Sequence, residues 1–189
     1  SKLEMYKPDG SLIDIEWDEA VYDCFVFNSE KIVPAIGGVD AHALKIRDYV
    51  IPVTVFPYKT MFKTINNVII LRNPLSENFE TAKEQILNAI KNGNNIVINT
   101  NRSKIIPNIE ITNSLKTAQS GEFLNLDKKT YLNVEVNKKA LIKIILNGRE
   151  LYECVAKKCN LLLTEIGKYR VEILIGNKGF AYSNPIVVI

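Results

Sequence analysis

The sequence predicts an α+β protein: an α/β segment followed by a small β-sandwich. Three observations point there. Helical and strand-like apolar patterns alternate through the first half of the chain. Near residue 100 the apolar period drops to two. The second half then carries turn signals at the spacing of a sandwich.

The first helical pattern is IEWDEAVYDCFVFN, residues 15–28. Trp17, Ala20, Val21 and Cys24 fall at helical spacing, and Asp18 and Glu19 sit in the first turn. KIVPAIGG, residues 31–38, reads as a short apolar strand ending in glycines. NNVIIL, residues 66–71, is a continuous apolar run, the pattern of a strand buried on both faces of a parallel sheet. SENFETAKEQILNAIKNG, residues 76–93, is the clearest helix. Ser76 is its expected N-cap, Phe79, Ala82, Ile86, Leu87 and Ile90 its apolar face, and Gly93 its left-handed terminator. NIVINT, residues 95–100, follows as a strand, so strand, helix and strand imply a βαβ unit.

Beyond residue 100, TYLNVEVN alternates, with Leu132, Val134 and Val136 on one side and Asn133 and Glu135 on the other. LIKIILNGRELYEC is two apolar runs around Asn147-Gly148, a strong hairpin signal. KYRVEILIGNKGFAYSNPIVVI gives further strands around Gly176–Gly179, with Pro185 expected at an edge or a bulge. Gly167 and Tyr169 in EIGKYRVE have the spacing of the tyrosine corner found in immunoglobulin-like domains. The boundary is placed in NTNRSKIIPN, giving domains 1–102 and 103–189.

Bulk properties narrow the function. No apolar run is long enough to span a membrane, and the N-terminal residues do not read as a signal peptide. Cys24, Cys154 and Cys159 are too few and odd in number for a disulfide framework, so reduced thiols in a cytoplasm are expected. Residues 101–189 hold 14 of the 24 Lys and Arg but only 8 of the 21 Asp and Glu. A basic half of this kind attracts phosphates or nucleic acid, although no aromatic residues interleave the lysines as single-strand binding requires. Glu16, Asp18, Glu19 and Asp23 read as a solvated acidic helix face.

The candidate chemistry lies in GGVDAHA, residues 37–43, which holds the single histidine of the chain. Asp40 and His42, two apart after a strand and a glycine pair, offer a carboxylate oxygen and an imidazole nitrogen, a donor set that suits Zn, Mn or Fe. Spacing alone favours a plainer reading, in which Asp40 caps a helix starting near Ala41 and His42 is an exposed first-turn residue. Lys45 and Arg47 are candidate contacts for a substrate phosphate. Tyr58 in FPYKTMF is either a stacking surface or a packed residue.

GGVDAHA resembles the late metal-binding signature of the polymerase and histidinol phosphatase (PHP) superfamily. WDEAVYDCFVFNSEKIVPAI before it, FPYKTMFKTINNVIIL and ENFETAKEQILNAIKNGNNIVINT after it, and the closing GKYRVEI and AYSNPIVVI extend the resemblance over nearly the whole chain. Val39 stands where the family often has Ser. The resemblance implies a partial PHP-type α/β barrel segment followed by an immunoglobulin-like β-sandwich. It implies that Asp40 and His42 are late ligands of a divalent metal cluster (Mn, Zn or Fe). The parent enzyme would hydrolyse phosphomonoesters or nucleotide phosphodiesters.

The family's early histidines have no counterpart here. The expectation is therefore the C-terminal fragment of a metal-dependent phosphoesterase, itself inactive and without tightly bound metal. Its substrate would be a phosphorylated small molecule or nucleotide. The alternative is a non-catalytic binding module whose basic β-sandwich recruits nucleic acid or a protein partner. A cut parallel sheet would also expose an edge, to be covered by the chain's own N-terminal segment or by a second copy in a homo-oligomer.

Overall fold

The computed structural model describes residues 32–46 and 53–189. The helix expected at 15–28, the acidic residues Glu16, Asp18, Glu19 and Asp23, Cys24 and Arg47 lie outside the described residues. The elements in chain order are β1 (Leu44–Ile46), β2 (Val53–Val55), α1 (Tyr58–Met61), β3 (Ile65–Ile69), α2 (Phe79–Lys91) and β4 (Asn95–Asn99). There follow β5 (Asn108–Thr112), β6 (Thr117–Ala118), β7 (Phe123–Leu124), β8 (Tyr131–Leu146), β9 (Arg149–Leu162), β10 (Gly167–Ile175), β11 (Lys178–Ser183) and β12 (Ile186–Val188).

Among the described residues β1 and β2 form an antiparallel pair, and the other ten strands form one connected, mostly antiparallel, sandwich-like sheet. No α/β barrel is present among them, which corrects the expectation of a barrel segment. The decisive difference is the direction of β4. It runs antiparallel to β3, with Ile65 opposite Asn99 and Ile69 opposite Asn95. A parallel βαβ unit needs a helix that carries the chain back across the sheet. Here residues 70–78 lead away from the end of β3, and α2 returns to that same end.

That path explains α2. Asn78, not Ser76, is its N-cap, accepting a hydrogen bond from the Thr81 N–H at 3.1 Å. Gly93 takes the expected left-handed conformation, φ +75°. Of the apolar residues expected on one face, Phe79 is 74% exposed and Leu87 is also exposed; Ala89 is the buried residue of the helix. Ala82, Ile86 and Ile90 are half-buried.

The β-rich half is built around one hairpin. Asn147 and Gly148 both have positive φ, 51° and 79°, so the Asn-Gly turn joins β8 and β9 as the sequence predicts. TYLNVEVN and LIKIIL are one 16-residue strand, not two. Its register against β9 shifts between Glu135 and Ala140, so residues 136–139 lie opposite Lys157. This irregularity lets one strand serve two layers. Its first part pairs β5 and its second part pairs β10.

Leu132, Val134 and Val136 face inward as expected and share one core with Ile109, Ile142, Ile144, Val171 and Phe180. Tyr169 is buried at 1% exposure, and its hydroxyl donates to the Glu165 carbonyl at 2.7 Å, the bond a tyrosine corner requires. Burial, then the nearby Glu165 charge, pushes its phenol up to about 12. Cys154 and Cys159 are free thiols, and burial pushes Cys159 up to about 12, so it is protonated and inert at neutral pH.

The boundary placed at 102/103 falls in the connection between β4 and β5. The hydrogen-bonded sheet is continuous across it, because β4 pairs with β11. Alternate residues of β10 point away from the core. Of these, Arg170 and Glu172 are buried on the other face as an ion pair. Glu172 neighbours Tyr182, Tyr182 neighbours Val97, and Val97 neighbours Asn67 across the sheet. This second face receives the chain that carries Asp40 and His42. No helix among the described residues is long and apolar enough to cross a membrane.

Candidate functional site

Residues 32–38 do not form the expected strand. They run extended over the sheet and are held by side-chain amides in place of a backbone ladder. The Ala35 N–H donates to Asn184 Oδ1 at 2.7 Å, and its carbonyl accepts from Asn95 Nδ2 at 2.9 Å and Asn184 Nδ2 at 3.1 Å. Asn184 Nδ2 also donates to Asn95 Oδ1 at 2.9 Å. Two residues on, Asn67 grips Gly37 at both ends: Oδ1 accepts the Gly37 N–H at 2.8 Å, and Nδ2 donates to its carbonyl at 2.9 Å. An amide side chain has the donor and acceptor of a peptide group, so each asparagine acts as one rung of a ladder.

Gly37 is required by close approach. A Cβ there would lie 2.5 Å from Val97 Cγ1 and 2.7 Å from Ile65 Cγ2. Val39 then packs on Ile65, Val97 and Tyr182. This pinned strip ends at Asp40.

Asp40 and Ala43 both have positive φ, 44° and 48°. No helix begins at Ala41; the chain turns into β1 at Leu44. The alternative in which Asp40 caps a helix is therefore overturned. The two left-handed residues bracket His42, and the effect is to bring Asp40 Oδ1 and His42 Nε2 within 2.8 Å. Both side chains are exposed, 64% for Asp40 and 76% for His42. Left-handed backbone costs a non-glycine residue roughly 1–2 kcal/mol, and such residues gather where geometry serves a function. Elsewhere, Asn147 and Asn177 have positive φ because hairpin turns need it.

The surroundings are aromatic. Tyr58 Oη donates to the His42 carbonyl at 3.4 Å. Tyr58 stacks on Phe62 with ring centroids 5.8 Å apart and planes inclined by 16°. Both rings are at least half exposed, so Tyr58 is not a core residue. Phe56, just before α1, is a further residue of positive φ in this region. Lys45 is exposed on β1 opposite Thr54. The sequence thus names Asp40, His42 and Tyr58, which the fold gathers. It did not single out Asn67 and Asn95, which position them. The signal was available: asparagine is disfavoured inside apolar strands, so INNVI and NIVIN held a clue.

A metal would find two donors here. Ligand atoms about 2.1 Å from one ion and at right angles to each other lie about 3 Å apart, close to the observed Asp40–His42 separation. Among the described residues no group of three or more His, Cys, Asp or Glu could complete the set. No family model, curated protein or solved structure matches this chain.

Proposed function

We propose that Asp40 and His42 are two ligands of a divalent metal, Mn, Zn or Fe, in a phosphoesterase whose remaining ligands lie outside the described residues. The observation that carries this reading is the 2.8 Å approach of Asp40 Oδ1 to His42 Nε2 on a solvent-facing, left-handed turn. A bound metal of this kind supplies a Lewis acid and an activated water for phosphoester cleavage. The chain's own contribution is positional. Asn67, Asn95 and Asn184 fix the approach strip, and Tyr58 holds the His42 carbonyl. Lys45 is the cation nearest in sequence for a substrate phosphate. The exposed Tyr58–Phe62 pair offers a flat apolar surface to a leaving group. The described residues supply two of the ligands, and on this reading those two alone bind metal weakly.

The alternative of a basic recruiting surface has less behind it. Lys143 and Lys158 of the sandwich pair with Glu150 and Glu135 at 3.0 and 2.8 Å, so part of the basic charge is locally balanced.

The test is made on the chain assayed together with whatever residues complete its ligand set. Asp40→Ala and His42→Ala should each lower phosphoesterase turnover by about a hundredfold or more, with metal content falling in the same samples. Full metal occupancy with near-normal turnover in either variant would show that the pair is a surface hydrogen bond and nothing more.

A further inference from the structure

Strand β9 is a long edge. Among the described residues it pairs only with β8, which lines its whole length from Arg149 to Leu162. The opposite edge of β9 therefore presents a row of backbone N–H and C=O groups with no strand of the described residues beside it. The other sheet edges, β3, β6 and β7, are five, two and two residues long. Soluble proteins usually blunt such edges with lysine, because a second copy then meets like charge. β9 does carry Lys157 and Lys158, but it also carries Glu150 and Glu153. The acids are in its first half and the lysines follow.

That order matters when the strand meets itself. In an antiparallel pair, residues directly opposite share a face of the sheet. Away from the core, β9 carries Glu153 and Val155, opposite Lys143 and Leu141 of β8, and Lys157 is exposed two residues further on. Cys154, beside Ile142, faces the core. A two-fold axis at Val155 sets Val155 against Val155. It also sets each Glu153 against the Lys157 of the other copy, giving two opposite-charge pairs around an apolar centre. Moving the axis to Glu153 would place Glu against Glu. Val155 is 60% exposed in the single chain, so the apolar centre is free to be covered.

We propose that β9 is a self-association edge. Two copies of this chain join antiparallel through β9, about an axis at Val155, and their sheets become one. The occupant is a second copy because the acids in the first half of β9 meet the lysines in the second half of the other copy, and the axis at Val155 is the register that also covers the exposed Val155 with itself. The inference is independent of the metal reading. β9 and the Asp40–His42 turn are different parts of the molecule.

Sedimentation equilibrium of the 189-residue chain between about 1 and 200 µM should show a reversible monomer–dimer equilibrium. Glu153→Lys places lysine opposite lysine twice. It should raise the dimer Kd about tenfold or more, as should Lys157→Glu. The double variant, Glu153→Lys with Lys157→Glu, restores two opposite-charge pairs and should return the Kd to within about threefold of the parent chain. Both positions are exposed, and an unchanged far-ultraviolet circular dichroism spectrum checks the fold. A monomer throughout that range overturns the proposal. So does a dimer indifferent to the single changes, which would place the contact elsewhere, for example on the exposed apolar residues of α2. Singles that weaken the dimer without rescue by the double variant overturn the Glu153–Lys157 register.

Discussion

The β-rich body and the strip of chain from residue 32 to residue 43 are fastened to the same sheet by different means. In the body, strands pair through backbone ladders and close on a shared core of Ile, Val, Leu and Phe. The strip forms no ladder with the other described residues. Three asparagine side chains and the close packing of Gly37 and Val39 hold it. A ladder fixes many residues at once and cannot be changed in one place. A side-chain anchor fixes single peptide groups, leaving the residues beyond it free to adopt unusual backbone. Asp40 and Ala43 do so, and the pair of candidate ligands sits between and at those residues.

The sharpest way to break the comparison is to weaken each attachment separately. Ile142 is fully buried at the centre of the body's core. Ile142→Ala removes apolar contacts and leaves a cavity, so global unfolding free energy should fall by about 2–5 kcal/mol, measured by urea denaturation. The strip should be lost only when the body unfolds. If Ile142→Ala instead released the strip with little change in global stability, the core would not be the body's foundation.

Asn184→Ala should do less globally and more locally. Asn184 is 1% exposed and bonds to Ala35 and to Asn95, itself fully buried. Truncation leaves those groups with lost partners, at a cost of about 1–3 kcal/mol. Hydrogen exchange should show the Ala35 and Gly37 amides losing protection while amides in β8 and β10 keep theirs. Equal loss everywhere would mean that the strip and the body are one cooperative unit and that the distinction drawn between them is wrong.

Much of the body could be read from the sequence because its signals are local. The Asn147-Gly148 turn, the alternation of Leu132, Val134 and Val136, and the Gly167–Tyr169 corner each follow from a few adjacent residues. The α/β half misled for the opposite reason. The apolar run 66–71 and the helix 76–93 are real elements, but whether β4 lies parallel or antiparallel to β3 depends on the path of residues 70–78. No local period encodes that path. KIVPAIGG reads as a strand because it is a short apolar run ending in glycines. It is extended, but its partners are Asn67, Asn95 and Asn184, which are 30, 60 and 149 residues away from the groups they hold. Asp40 and His42 were legible as a pair of donors. The backbone strain that aims them was not, since nothing in DAHA demands positive φ at Ala43.

The smallest expected effect separates the two regions by pH. Asp127 lies in the body, in the connection before β8, and ties it to the turn before β6. Its carboxylate accepts from the Ser114 hydroxyl, from the Ser114 N–H at 3.0 Å, from the Lys129 N–H at 2.7 Å and from the Thr130 hydroxyl at 3.1 Å. Those bonds, led by the Ser114 hydroxyl, hold its pKa down to about 2 from an ordinary 3.8. A carboxyl depressed on folding stabilises the folded chain above its unfolded pKa, and that contribution disappears as pH falls through the folded value. The window is therefore from about pH 4 down to about pH 2. Asp127→Asn keeps an acceptor but has no proton to gain. Its melting temperature should be slightly below the parent's at neutral pH and should fall less steeply between pH 4 and pH 2, so that the two curves converge. The strip's amide anchors do not titrate, so the Asp127 change should leave the difference in protection between strip and body unaltered across that window. Parallel melting curves for the two proteins would show that Asp127 does not link the loops as described. A strip released in acid ahead of the body would show that a titrating group, and not asparagine alone, holds it.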